Sequence, residues 1–163
     1  MQAAKLKNTL TLYIVGILLW ALCSCKKETV IQESKFDLLT KRSWQLTNLY
    51  HQEMGDNTIS DFTAVYYKDC EKDDSYHFAA NNMFFRRDST NQCANQPQFG
   101  LYGGASWTAD SSFSKITFDS FPYYLYNMEI KTLTSSRLEL RHHVLDYFQK
   151  EVTFTFRFKS IMQ

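Results

Sequence analysis

From residue 44 onward the chain alternates apolar and polar positions with a period of two. Val152, Phe154, Phe156 and Phe158 interleave with Thr153, Thr155 and Arg157. Residues two apart share one face of a strand, so this run predicts a half-buried strand of strong β formers. The same alternation joins Leu138 to Leu140 within residues 137–141, and Ile116 to Phe118. Tyr124, Tyr126, Met128 and Ile130 share a face opposite Asn127, Glu129 and Lys131. Tyr76, Phe78 and Ala80 mark another strand, and Trp44, Leu46, Asn48 and Tyr50 mark the first. Phe36 to Arg42 supplies one or two helical turns ahead of it.

Turn signals separate these runs. Asn81-Asn82 suits a tight hairpin, because Asn tolerates positive φ. Thr134-Ser135-Ser136 and the Ser-rich stretch from Asp110 to Ser114 are two more. Gly103-Gly104 precedes Trp107, where a strand is expected to begin close to another backbone. About eight short antiparallel strands argue for a closed barrel or a sandwich. An immunoglobulin sandwich wants a Trp between widely spaced cysteines, and none lies between Cys70 and Cys93. The prediction is an all-β fold: a small antiparallel barrel of about eight strands with a short N-terminal helix.

A closed barrel turns one face of every strand inward. The more apolar faces carry Trp44 and Leu46, Tyr76 and Phe78, Trp107, Ile116 and Phe118, Tyr126 and Met128, Leu138 and Leu140, and Phe154 and Phe156. Eight strands enclose just enough room for side chains to fill, or for one small ligand. These residues either interdigitate as a solid core or line a pocket for a flat or apolar molecule.

The N-terminus has another purpose. Leu10 to Leu22 is apolar apart from Thr11 and follows Lys5 and Lys7. The run is shorter than the ~20 residues of a bilayer span, and it fits the hydrophobic region of a signal peptide. Leu22-Cys23-Ser24-Cys25 resembles the bacterial lipobox: an aliphatic residue, small residues, then the acceptor cysteine. Cys23 is a poor acceptor because Leu22 directly precedes it. Residues 1–24 are thus expected to be a cleaved lipoprotein signal peptide, Cys25 the lipid attachment site and 25–36 a polar tether. Several acyl chains on one residue hold a protein stably on a membrane.

Aromatic residues make up 16% of the chain, with only 5 Gly and 2 Pro, so residues 37–163 should pack as a domain. Losing Lys5 and Lys7 takes the net charge from +1 to −1. Such a balance leaves no basic footprint for nucleic acid.

With Cys23 removed and Cys25 lipidated, Cys70 and Cys93 remain in an oxidising compartment and are expected to pair. A metal or redox site would want more Cys or His ligands at short spacing, or a CxxC. His142 and His143 point to opposite faces of a strand and cannot share one ion, so they read as surface histidines. Asp69, Glu71, Asp73 and Asp74 offer oxygens for Ca²⁺. The EF-hand glycine and distal glutamate are missing, which favours a solvated loop in which Asp69 or Asp73 caps backbone amides. No GxSxG, P-loop or HExxH pattern occurs. No catalytic residue, metal or cofactor is expected from these patterns, and the protein is expected to be non-enzymatic.

Three passages carry a family resemblance: Leu38-Leu39-Thr40-Lys41-Arg42-Ser43-Trp44-Gln45-Leu46-Thr47, Asp69-Cys70-Glu71-Lys72-Asp73-Asp74-Ser75-Tyr76-His77-Phe78, and Gly103-Gly104-Ala105-Ser106-Trp107. With Cys93 and the alternating last strand, they resemble the lipocalin-like lipoproteins of Bacteroidetes. Two positions depart from that family. Arg42 or Ser43 stands at the usual first glycine, and Gly104 lies one residue further from Trp107. The resemblance implies a small antiparallel barrel on the bacterial envelope, an outer-membrane lipoprotein facing the periplasm or the cell surface. Two functions fit: a tethered binder of a small apolar ligand, or a structural or protein-contact module with a filled barrel, working through loops 52–74 and 88–102.

Overall fold

The computed structural model describes residues 32–93, 101–119, 127–146 and 148–161. The signal segment, Cys25, most of the tether, Tyr124 and Tyr126 lie outside the described residues.

A short helix, α1 (Lys35–Thr40), precedes β1 (Ser43–Glu53), a two-residue strand β2 (Ser60–Asp61), a helical turn α2 (Thr63–Tyr66) and β3 (Ser75–Phe78). There follow β4 (Met83–Arg87), β5 (Leu101–Ala109), β6 (Lys115–Phe118), β7 (Asn127–Leu133), β8 (Arg137–Leu145) and β9 (Glu151–Ile161). Leaving β2 aside, each strand pairs antiparallel with its neighbour in the chain, and β9 returns to pair with the whole of β1. That closes a barrel of eight strands and removes its edges. β2 lies along β1 outside this ring, with Tyr50 opposite Asp61.

The up-and-down course gives the barrel two different ends. At one end, tight turns at 79–82, 110–114 and 134–136 join the strands. Asn82 adopts φ 65° in the first of these, and its N–H donates to the Ala79 carbonyl at 3.0 Å. Asp110 organises the second, accepting from Ser114 N at 2.7 Å and Lys115 N at 2.8 Å. The connection 54–74, residues 88–93 after β4, Asp119 after β6, and Asp146 and residues 148–150 lie at the other end, which is the mouth.

Helix α1 covers the tight end. Ser34 caps it, accepting from Asp37 N at 3.0 Å, and Leu39 points inward, fully buried. Lys35 Nζ donates to the Ser112 carbonyl at 2.8 Å, and Arg42 Nε to that of Ser135 at 3.0 Å. Arg42 also makes a two-pronged ion pair with Glu33, at 2.8 and 2.6 Å. Arg42, one of the two positions where the resemblance leads one to expect glycine, thus ties a turn to the segment around the helix.

Three departures from simple alternation are β-bulges. In β1, Leu46 faces Phe158 but Asn48 faces Arg157, so Thr47 is the extra residue. A bulge shifts the facing of every residue beyond it. Leu49 is therefore the next buried position, while Asn48 and Tyr50 turn outward. A second bulge lies between Phe84 and Arg86 of β4, opposite Gly103-Gly104. The glycines were expected to precede the strand, yet β5 starts at Leu101 and runs through them. A third falls between Ile130 and Thr132. Ala80 lies beyond β3, in the hairpin turn.

Candidate functional site

The closed half of the barrel is solid. Trp44, Leu138 and Ile116 are fully buried, and Phe78, Trp107 and Phe118 are each 2% exposed. Phe78 meets Phe84 at 4.8 Å and Trp107 at 5.7 Å between ring centroids, and Phe84 meets Phe118 at 5.0 Å. These tilted and edge-on rings leave little free volume between them. Trp107 Nε1 donates to the Ala79 carbonyl at 3.2 Å, and Trp44 Nε1 to that of Leu39 at 3.1 Å. Both indoles satisfy their polar atom on the backbone closing that end.

The rest of the inner wall is buried less uniformly, and Val152, nearest the mouth on β9, is 2% exposed. Leu46 and Tyr76 retain 6% of their surface, and Phe156 and Phe158 retain 8%. Phe154, one turn of alternation nearer the mouth, is half-buried and packs on the core edge. Met128 and Leu140 sit between, each 2% exposed. Of the expected interior residues, all the described ones therefore point inward, with Phe154 at the margin. Leu39, Leu49 and Phe84 belong to the same core. Leu49 escaped the period-two reading because of the bulge at Thr47, and Leu39 because its role is set by how α1 docks.

Polar groups enter the wall at this depth. His142 is 8% exposed, on the inward side of β8 opposite Phe154, with Nδ1 3.1 Å from the Asn127 carbonyl. The expectation of a surface histidine fails here, because β8 continues to Leu145 and carries the alternation of Leu138 and Leu140 through His142. His143 is exposed, as expected, with Nδ1 2.8 Å from Thr153 Oγ1. His51 packs against Phe62 at 4.8 Å and Phe154 at 5.2 Å, and Tyr66 lies 6.0 Å from Phe154. Segment 60–67 thus seals the wall where β3 is too short to accompany β1.

Arg86 enters from β4. Its Nε lies 2.9 Å from Asp74 Oδ2 and its Nη2 3.3 Å from Glu71 Oε1. Asp74 is 1% exposed, and burial raises its carboxyl to about 6 despite the neighbouring guanidinium. Its other oxygen accepts from Ser89 N at 3.3 Å. Asp73 accepts from Asn91 N at 3.1 Å, and Asn91 Nδ2 donates to the Asp69 carbonyl at 3.2 Å. Asp69 itself pairs with Lys72 at 2.6 Å. The acidic run therefore directs its oxygens to cations and amides. Among the described residues, no three His, Cys, Asp or Glu side chains gather as a metal cluster.

Cys70 and Cys93 form a disulfide, Cα to Cα 5.1 Å. It joins loop 67–74 to loop 88–93, beside the hydrogen bonds just described, so both mouth connections form one clasp. On the outer wall, His77 stacks on Phe85 at 4.8 Å between Ser43 Oγ and Ser75 Oγ, and burial pushes its pKa below the ordinary value.

The fold is a closed, up-and-down, eight-stranded antiparallel β-barrel with a helix across one end, an architecture that lipocalins also use. Among solved structures the chain is similar to bovine odorant-binding protein in complex with a selenium-containing odorant, at 12% identity over 80% of this chain and 75% of that one, with a TM-score of 0.40. No family model and no curated protein matches it.

Proposed function

We propose that this protein is a non-enzymatic lipoprotein of the bacterial envelope, anchored through Cys25, whose barrel binds one small, mainly apolar molecule in its open half. The observation that carries the binding reading is the closed apolar barrel, whose inner wall near the mouth carries a half-buried Phe154 opposite His142. Phe156 and Phe158 are each 8% exposed, Phe154 is half-buried and Val152 beyond it is 2% exposed, so the wall near the mouth is apolar with Phe154 its most accessible aromatic on β9. An apolar recess with few polar groups is the usual form of a small-molecule site. Titration with diphenylhexatriene, followed by its fluorescence, tests this. Saturable binding near one probe per protein is expected, and an unresponsive probe refutes the pocket.

The anchor rests on the lipobox and the polar stretch after it. Metabolic labelling with a fatty acid should mark the wild type, and Cys25→Ala should accumulate as unlabelled precursor. Wild-type protein released to the soluble fraction with a free Cys25 would refute the anchor.

One observation favours a protein-contact role instead. Met54, Ile59, Val65, Tyr66, Leu145 and Phe148 are each more than half exposed, and all lie in connections at the mouth or beside them. Co-purification of a stoichiometric envelope protein, lost on substituting these residues, would support that role.

A further inference from the structure

We propose that the ligand is a neutral amphiphile, an apolar body bearing a hydroxyl or N–H that donates to His142, and not a carboxylate such as a fatty-acid anion. The inference depends on the binding reading above and adds the chemical class of the ligand.

The Asn127 carbonyl, 3.1 Å from His142 Nδ1, can only accept, so Nδ1 carries the proton in the neutral ring. Nε2 is then an acceptor. Among the described residues no group donates to it. The side chain is 8% exposed and stands on the inward side of β8, opposite Phe154. A wholly apolar occupant would displace water and leave that lone pair unpaired, which costs free energy. An occupant with a donor at this depth would satisfy it and keep its apolar portion against Phe156 and Phe158.

A carboxylate meets the opposite conditions. When ionised it only accepts, so it cannot serve Nε2. The inward cation it would seek, Arg86, is already held by Asp74 at 2.9 Å and Glu71 at 3.3 Å. A third carboxylate there would face two like charges in a partly desolvated site. The wall is thus built to accept a hydrogen bond and to repel an anion.

The test is competition against bound diphenylhexatriene at pH 8 with 1-octanol, its methyl ether 1-methoxyoctane, and octanoate. The alcohol should compete roughly fivefold better than the ether, the order of one net hydrogen bond, and octanoate should be the weakest. The ether is the larger apolar molecule, so burial alone would rank it first. In His142→Leu the advantage of alcohol over ether should vanish while diphenylhexatriene still binds. Should that variant fail to fold by circular dichroism, the wild-type ranking alone decides. An ether equal to the alcohol, or octanoate as the best competitor, overturns this assignment and leaves the pocket standing. No binding of the probe or any competitor overturns the pocket and this assignment together.

Discussion

Trp44 Nε1 donates to the Leu39 carbonyl at 3.1 Å, with both side chains fully buried. This bond ties the last turn of α1 to the first strand and makes the helix the floor of the barrel. Leu39→Ala removes a side chain that fills the floor, so it should cost about 2–4 kcal/mol in unfolding free energy. Chemical denaturation measures it. A cost within experimental error would mean that α1 is not the floor.

Phe156 lies on the inner wall between filled floor and open mouth. Phe156→Ala should enlarge the recess and change diphenylhexatriene affinity, while costing about 3 kcal/mol, the low end for a buried phenylalanine. Loss at the high end, about 5 kcal/mol, with no probe binding in either form, would show a core packed solid throughout.

The clasp predicts a second stability effect. Cys70 and Cys93 close a loop with a sequence separation of 23. Cys70→Ser should therefore lower stability by roughly 3 kcal/mol in the chain-entropy model. Amide exchange should rise around residues 69–74 and 88–93 and much less in β8 and β9. Equal loosening of the whole barrel would contradict a clasp confined to the mouth.

Asp74 gives a pH dependence whose sign is set by burial. Its folded pKa, about 6, lies above the ordinary unfolded value of about 3.9. Between those values the folded chain holds the extra proton, so this group adds stability as pH falls from about 7 toward 4. Ionised Asp74 above that window detracts from it. Comparing wild type with Asp74→Asn, the difference in Tm should move in favour of the wild type on going from pH 7.5 to pH 5. Movement the other way would place the carboxyl in a solvated or strongly ion-paired setting.

Asn82 holds φ 65° in the β3–β4 turn. Asn82→Gly should be nearly neutral, while Asn82→Val should lose about 1–2 kcal/mol, the cost of a β-branched residue in the left-handed region. Equal stability of the two variants would mean the turn readjusts freely.

Much of the fold was legible because the inner wall writes itself into the chain every second residue. Strands β6, β8 and β9 carry unbroken alternation, so Ile116, Leu138 and Phe156 could be placed inward from the sequence pattern alone. The two thiols left after the N-terminal pair could be expected to join for want of any other partner. What alternation cannot carry is a change of phase. The bulge at Thr47 exchanges Asn48 for Leu49 on the core face, and only the pairing of β1 with β9 sets it. Nor can a local pattern say how far a strand continues: β8 runs on to Leu145, which carries His142 from an expected surface into the wall. The partners of Arg86 come from a loop 12 and 15 residues before it in sequence. Their meeting depends on barrel closure and on the clasp at Cys70–Cys93. Sequence periodicity determined which residues are apolar on one face; ring closure decided which end is floor, which is mouth, and which polar groups the interior holds.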